Sequence, residues 1–251
     1  MKTIDYLWGE LQDRRKTRRT VKHLVETHLD PILKTADELF GKLRDLAIRD
    51  FSDVKDGLKD HSPDFEEQVE LGATLYLFAH FWARIAILRR DSLYVELGRD
   101  TQGEQLKMFI RSLESRRVRI IDRAWQRIIG EALFKEGSAE HPRECMTSYE
   151  FLERYTGDPD FRRWLDPLVE MLGRTSHKGV RQRLLLYGVV LHSMIDTLDP
   201  KHGITAERPG YANKLTRKTR RELKYRIFRV YLNLVKEPWK YYSSRSPGNR
   251  R

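Results

Sequence analysis

"LGATLYLFAHFWARIAIL", Leu71 to Leu88, decides how the rest of the chain is read. It has about the length of a short membrane-spanning helix, yet His80 and Arg84 sit in its middle, where a charge is costly in lipid. A helix that is apolar all round and buried inside a bundle produces the same pattern, and we adopt that reading. Tyr76, Phe78, Phe81 and Trp82, with Trp125 farther along, then belong to core packing rather than to a cofactor box.

Working outward, no segment keeps a clean two-residue alternation between turn residues, so strands are not expected. Helix starts are marked by Asp30-Pro31, Ser62-Pro63 and Asp158-Pro159, each a capping residue followed by a proline suited to the first helical position. "TQGE" (Thr101 to Glu104) and "TSYE" (Thr147 to Glu150) have capping-box spacing. Asp199-Pro200 and Glu237-Pro238 supply stops. The spacing predicts helices over 3–29, 31–60, 64–98, 101–136, 147–156, 159–173, 178–199 and 213–237, with the longer loops at 137–146 and 201–212. The expectation is an all-α, antiparallel bundle of about six to eight helices. Residues 1–242 form one domain in this reading, and 243–251, "SSRSPGNRR", form a disordered basic tail.

With 251 residues and 39% hydrophobic content, the chain has ample material for a continuous core. Its single cysteine, Cys145, excludes an intramolecular disulfide and a thiolate zinc cage, as a reducing compartment would permit. Asp5 and Glu10 interrupt the apolar run at the start, so no signal peptide is expected and the location is read as cytoplasmic.

Motifs for catalysis or metal binding are missing. There is no Walker-type glycine-rich loop and no His-Glu-x-x-His string. Carboxylate-bridged di-iron bundles place Glu three residues before His, and no histidine here has Glu at that offset. Asp199 and His202 have the spacing, but Pro200 breaks the helix that would align them. Neither metal nor cofactor is expected, and Cys145 reads as a loop thiol without a catalytic role.

The best candidate for a polar site lies inside the bundle. His80 and Arg84 are one turn apart, Asp91 continues roughly that face, and "IIDRAWQRIIGEAL" offers Asp122, Gln126 and Glu131 on another helix. A buried guanidinium needs an anionic or carbonyl partner, so the simple reading pairs Arg84 with Asp122 or Glu131. A small-ligand pocket or an acid–base site built from the same residues stands as the alternative.

Several strings considered together, "LDPILKTADELFGKLRD", "TLYLFAHFWARIAILRRD", "VELGRDTQ", "DRAWQRIIGEAL" and "LHSMIDTLDP", resemble a widespread group of uncharacterised all-helical bacterial proteins. The resemblance covers about Leu29 to Pro200 and implies a bacterial helical protein without carrying over any catalytic residue. Some members of that group begin with a membrane-spanning helix, whereas this chain begins with a short amphipathic and then basic segment.

Charge is the remaining signal. From Tyr211 to Arg251 thirteen Lys or Arg face two acids, which equals the formal excess of +11 for the whole chain. Leu223, Ile227, Val230, Tyr231 and Leu234 share one helical face, expected to dock on the bundle. Arg217, Arg220, Arg221 and Lys224 share another, expected to point outward as a stripe with too few acids for a merely solvated surface. A second cluster, Arg14, Arg15, Arg18 and Arg19, follows an apolar stripe of Ile4, Leu7, Trp8 and Leu11 that packs on this protein, on another copy of it, or on an anionic bilayer. The reading favours a non-enzymatic protein whose basic C-terminal helix engages an anionic partner, first of all a nucleic acid backbone. A protein–protein or membrane-surface adaptor is the runner-up, and a homo-oligomer is compatible with either. An enzyme or small-ligand sensor built around Arg84 comes third.

Overall fold

The computed structural model describes residues 2–52, 65–93, 96–136 and 143–243, with side chains described for all of these except 2–18, 65–68, 136 and 143. The expected tail beyond Ser243 lies outside the described residues.

Helix α1 runs unbroken over Lys2–Ile48 with Pro31 inside it, correcting the helix boundary expected at Asp30-Pro31. An interior proline forfeits one backbone hydrogen bond and crowds the carbonyl four residues back, at a cost of about 3 kcal/mol. Here Val21, Val25, Leu29, Ile32, Leu33 and Ala36 stay in phase across the proline, and all are buried. Breaking the helix would take half of that stripe out of the core, so packing overrides the local signal. Thr35 tucks its hydroxyl back onto the carbonyls of Pro31 and Ile32, at 3.0 Å each.

Helix α2, Phe65–Asp91, contains the opening stretch. Among the described residues it is the one helix long and apolar enough to cross a membrane, and most of that window is buried by the rest of the protein. Trp82 on it donates to the Tyr187 hydroxyl at 3.1 Å. A 3-10 turn, Leu97–Arg99, leads into α3, Thr101–Leu113, whose cap is Asp100 rather than Thr101: its carboxylate accepts from the Gly103 amide at 2.9 Å.

The single helix expected over 101–136 is in fact broken. After α3 the chain turns and restarts as α4, Arg123–Glu131, with Asp122 as its cap. It then forms a short antiparallel hairpin, β1 Phe134–Glu136 and β2 Arg143–Cys145, in a region expected to hold no strand.

Sequence signals and structure agree over the next three helices. The Thr147–Glu150 capping box starts α5, Ser148–Gly157, and Asp158 with Pro159 starts α6, Pro159–Gly173. A 3-10 turn, Arg174–Ser176, precedes α7, Lys178–Leu198. After a second irregular stretch and a 3-10 turn, Ala212–Lys214, come α8, Arg217–Glu222, a π-helix over Leu223–Tyr231, and a short α9, Trp239–Tyr242.

Helix α1 packs on both α2 and α7, α4 lies along α2, and α3 lies along α7. One cluster of buried apolar side chains extends from Val21 on α1 to Tyr241 on α9. The fold is thus an all-α bundle.

The π-helix changes which side chains of the C-terminal segment face inward. Its wider coil puts Leu223, Ile227, Phe228 and Leu232 in the core. Val230 and Tyr231, assigned to the docking face on α-helical spacing, are 58% and 41% exposed. Tyr231 is thereby free to take part in a site.

Candidate functional site

The site begins where α7 and α8 meet. The Gln182 side chain, one turn into α7, accepts from the Thr216 amide at 2.8 Å and from the Thr219 hydroxyl at 2.7 Å, and donates to the Lys214 carbonyl at 3.0 Å. Thr216 in turn caps α8 by accepting from the Thr219 amide. One amide side chain therefore fixes both the position and the start of the basic helix. From the other side, Arg117 in the turn after α3 donates to Glu222 at 2.7 Å. These two clamps fix α8 against α7 and against the turn after α3, and a cleft of about 850 Å³ lies among the three.

Its wall carries five cations, Arg116, Arg117, Lys178, Arg183 and Lys218, and one acid, Glu222. Arg117 already neutralises that acid, and among the described residues the other four cations have no ion-pair partner. They come from three separate segments: the turn after α3, the first turns of α7, and α8. Leu186 and Tyr231 supply the apolar part of the lining.

The start of α7 adds to the positive potential. His177 gives it no side-chain cap, and Gly179, on the cavity wall, has open space where a side chain would project. A 21-residue helix presents the positive end of its dipole there. Arg181 points the other way and secures the preceding turn, donating to the Thr175 and Ser176 carbonyls at 2.8 Å. A second hollow of about 700 Å³ shares Arg116 with the first and runs past Arg119 and Arg123 toward α4.

The stripe predicted on the C-terminal helix is only partly a stripe. Arg217, Arg221 and Lys224 are exposed, and the Lys224 ammonium lies 4.9 Å from the centre of the Tyr225 ring. Arg220, expected to point outward, is instead half-buried and donates to the Ala212 carbonyl at 3.0 Å, which makes it a structural residue. The cation of this helix that lines the cavity is Lys218, which the stripe omitted. Arg116, Lys178 and Arg183 were missed as well, because each belongs to a different segment. The strings "SRRVR" and "HKGVRQR" were the visible signal. Of the N-terminal cluster, Arg19 is exposed, while the side chains of Arg14, Arg15 and Arg18 lie outside the described residues.

The internal polar cluster is rearranged. Arg84 does meet His80, donating from Nε to the ring Nε2 at 3.2 Å, but it meets neither Asp122 nor Glu131. Both acids are exposed, with Asp122 capping α4 and pairing with Arg119 at 2.9 Å. The break after α3 causes this, because α4 turns Ile129 and Gly130 toward α2 and its acidic edge toward solvent. Gln126 is buried and spends its amide on the Ile121 carbonyl at 3.2 Å. Asp91 faces His28 at 3.1 Å.

Desolvation, then the Arg84 charge, push the His80 imidazole down to about 4. It is neutral at physiological pH and uses its lone pair to accept from the guanidinium. Glu38 on α1 is held above the ordinary carboxylate value by desolvation and by neighbouring Asp37, with Arg84 pulling it back. Burial raises the half-buried Cys145 thiol, which disfavours the reactive thiolate.

The far end of α7 carries a clasp of which the sequence shows only Asp199 and His202 by their spacing. Asp196 accepts from the Tyr241 hydroxyl at 2.8 Å and has His192 and His202 at 3.6 and 3.7 Å. Asp199 accepts from the amides of Gly203, Ile204 and Thr205, all at 2.9 Å. Arg208 forks onto Asp37 at 2.7 and 3.0 Å. Among the described residues no group of three or more His, Cys, Asp or Glu is arranged to hold a metal ion.

Comparison with protein-family models, curated proteins and solved structures returns no match to the chain. The site is read from its own chemistry.

Proposed function

We propose that this is a non-enzymatic, cytoplasmic protein that binds nucleic acid through its sugar–phosphate backbone, using the cleft between α7 and α8 together with Arg217, Arg221 and Lys224, which are exposed on the same C-terminal segment. The observation that carries the reading is the convergence of Arg116, Lys178, Arg183 and Lys218, four cations without carboxylate partners among the described residues, on one concave surface. Uncompensated cations packed this closely repel one another, and a polyanion relieves that cost while releasing its own counterions.

The test reverses Arg217, Arg221 and Lys224 to Glu and leaves Arg220 in place, since its hydrogen bond to the Ala212 carbonyl holds the fold. Affinity for DNA or RNA is expected to fall about equally across sequences, because interactions with the backbone carry no base information. Single Gln replacements should each lower the log–log salt slope by about one unit for every phosphate left without its cation. Unchanged binding in the triple variant overturns the proposal.

A second reading, a protein or membrane-surface adaptor, draws on the exposed Tyr225, Val230 and Trp239 of the same segment. Sedimentation with anionic liposomes separates the two. Liposome binding lost in the variant, with no nucleic-acid binding in the wild type, moves the assignment to the membrane surface.

A further inference from the structure

We infer that the cleft seats one nucleotide of a single strand, with its phosphate among Lys178, Arg183 and Arg116 at the amino end of α7 and its base against Tyr231. This rests on the nucleic-acid reading above and narrows it.

Shape is the first argument. A duplex presents its phosphates on a convex ridge, which a flat basic face serves well enough. An open, concave cleft of about 850 Å³ instead has the volume of a small-ligand site. What enters it must protrude, and a single strand, whose bases are unpaired and can splay outward, provides such a unit.

Chemistry is the second. Lys178, Gln182, Arg183 and Leu186 recur along one face of α7, so the recess grades from cationic over the first turn and a half to apolar about two turns on. The Val180 and Arg181 amides donate to the His177 carbonyl, while those of Lys178 and Gly179 have no acceptor within the helix and His177 offers none from its side chain. Anions settle at such an end when cations surround it. Opposite, Tyr231 lies at the end of the π-helix, 41% exposed on the cavity wall. The ring shares this wall with Arg117 and Glu222, which pair with each other. A half-exposed aromatic beside a phosphate seat is the arrangement that stacks bases without reading them.

A free mononucleotide offers the same phosphate and base, but the exposed Arg217, Arg221 and Lys224 of the same segment, outside the cavity, exceed what one nucleotide needs. A continuing strand uses them.

Fluorescence anisotropy with a labelled oligothymidylate and with a duplex of equal length, at matched salt, provides the test. The single strand should bind about tenfold more tightly than the duplex, and Tyr231→Leu should remove roughly that factor, the usual scale of one missing stack. The Tyr231→Leu salt slope should match wild type, whereas Lys178→Gln should lower it by about 0.7 unit. Tyr231→Phe keeps the ring and should keep the affinity, and unchanged circular dichroism in each variant excludes misfolding as the cause. Equal affinity for single strand and duplex, or indifference to Tyr231→Leu, overturns the inference while the broader reading stands. Adenosine monophosphate displacing the strand at comparable concentration overturns the assignment to a strand. No binding to either polymer removes the broader reading as well.

Discussion

Replacing Gln182 by Ala tests whether the basic wall is held in place by one side chain. Three hydrogen bonds disappear, to the Thr216 amide, the Thr219 hydroxyl and the Lys214 carbonyl. Each contributes about 1 kcal/mol net, more where the abandoned group stays buried. Thr219 keeps a neighbour in the Thr216 hydroxyl at 2.9 Å, so its loss is partial. The Thr216 amide and the Lys214 carbonyl have no such reserve. The sum is about 2–3 kcal/mol, or about 5–10 °C in Tm for a chain of this size. Urea and thermal denaturation followed by circular dichroism read the first quantity. Oligonucleotide anisotropy reads a second, because the variant keeps every charge yet loosens the wall that carries Lys218. Single-strand affinity should fall while the salt slope stays near that of wild type. Stability within about 0.5 kcal/mol of wild type, the range of an ordinary surface substitution, would refute the clamp.

Gly130→Ala places a methyl group 2.7 Å from the Trp82 carbonyl carbon on α2, and backbone cannot yield as a side chain can, so a loss of about 2 kcal/mol or more is expected in denaturation. Gly157→Ala, with nothing within 4 Å, is the control that should stay within about 0.5 kcal/mol. Arg84→Ala should cost about 1–2 kcal/mol, since it removes one hydrogen bond to His80 and a longer-range attraction to Glu38 but breaks no ion pair at contact distance; a loss of about 4 kcal/mol would reveal a buried acid partner. Because the His80 value falls from 6.5 to about 4 on folding, the unfolded chain binds the extra proton between those limits, so stability contributed by neutral His80 is present above pH 6.5 and lost as pH falls toward 4. Allowing for partial exposure, the loss is about 2 kcal/mol at the acid end. His80→Gln should flatten that difference in urea titrations at pH 7 and pH 4, and parallel curves for variant and wild type would contradict it.

Local signals identified the fold where nothing larger opposed them. The Thr147–Glu150 box and Asp158-Pro159 act within a single turn, and both helices start where those residues say. Pro31 misled because its cost is local while the buried stripe through it is long. The break at 114–122 misled in the opposite way, since "SLESRRVRIIDRAW" contains good helix formers and no proline or glycine. Its turn is fixed by where α4 must lie on α2, which no short window contains. For the site, periodicity correctly marked the C-terminal segment as cationic but assumed α-helical phase throughout, so Tyr231 was sent inward; Arg220, within α-helical α8, was sent outward because its partner, the Ala212 carbonyl, comes from the preceding turn. The cavity unites residues from positions 116, 178 and 218. Such a constellation is a property of the packing and is invisible along the chain.

The π-helix has a bearing on how the chain tolerates changes in length. Over nine residues its phase lags an α-helix by roughly half a turn, so the segment holds about two residues more than an α-helix making the same rotation. A deletion among Tyr225, Arg226 and Arg229 can be absorbed by rewinding, leaving Leu223 and Leu232 at their places in the core. A deletion in α7 has no such reserve, because Leu184 through Leu191 are buried on every side and the slip would turn Gln182 off its three partners. Among related sequences, gaps and insertions should therefore gather at 223–231 and spare 182–195, and those that shorten the segment to α-helical pitch should lack an aromatic residue at the position of Tyr231.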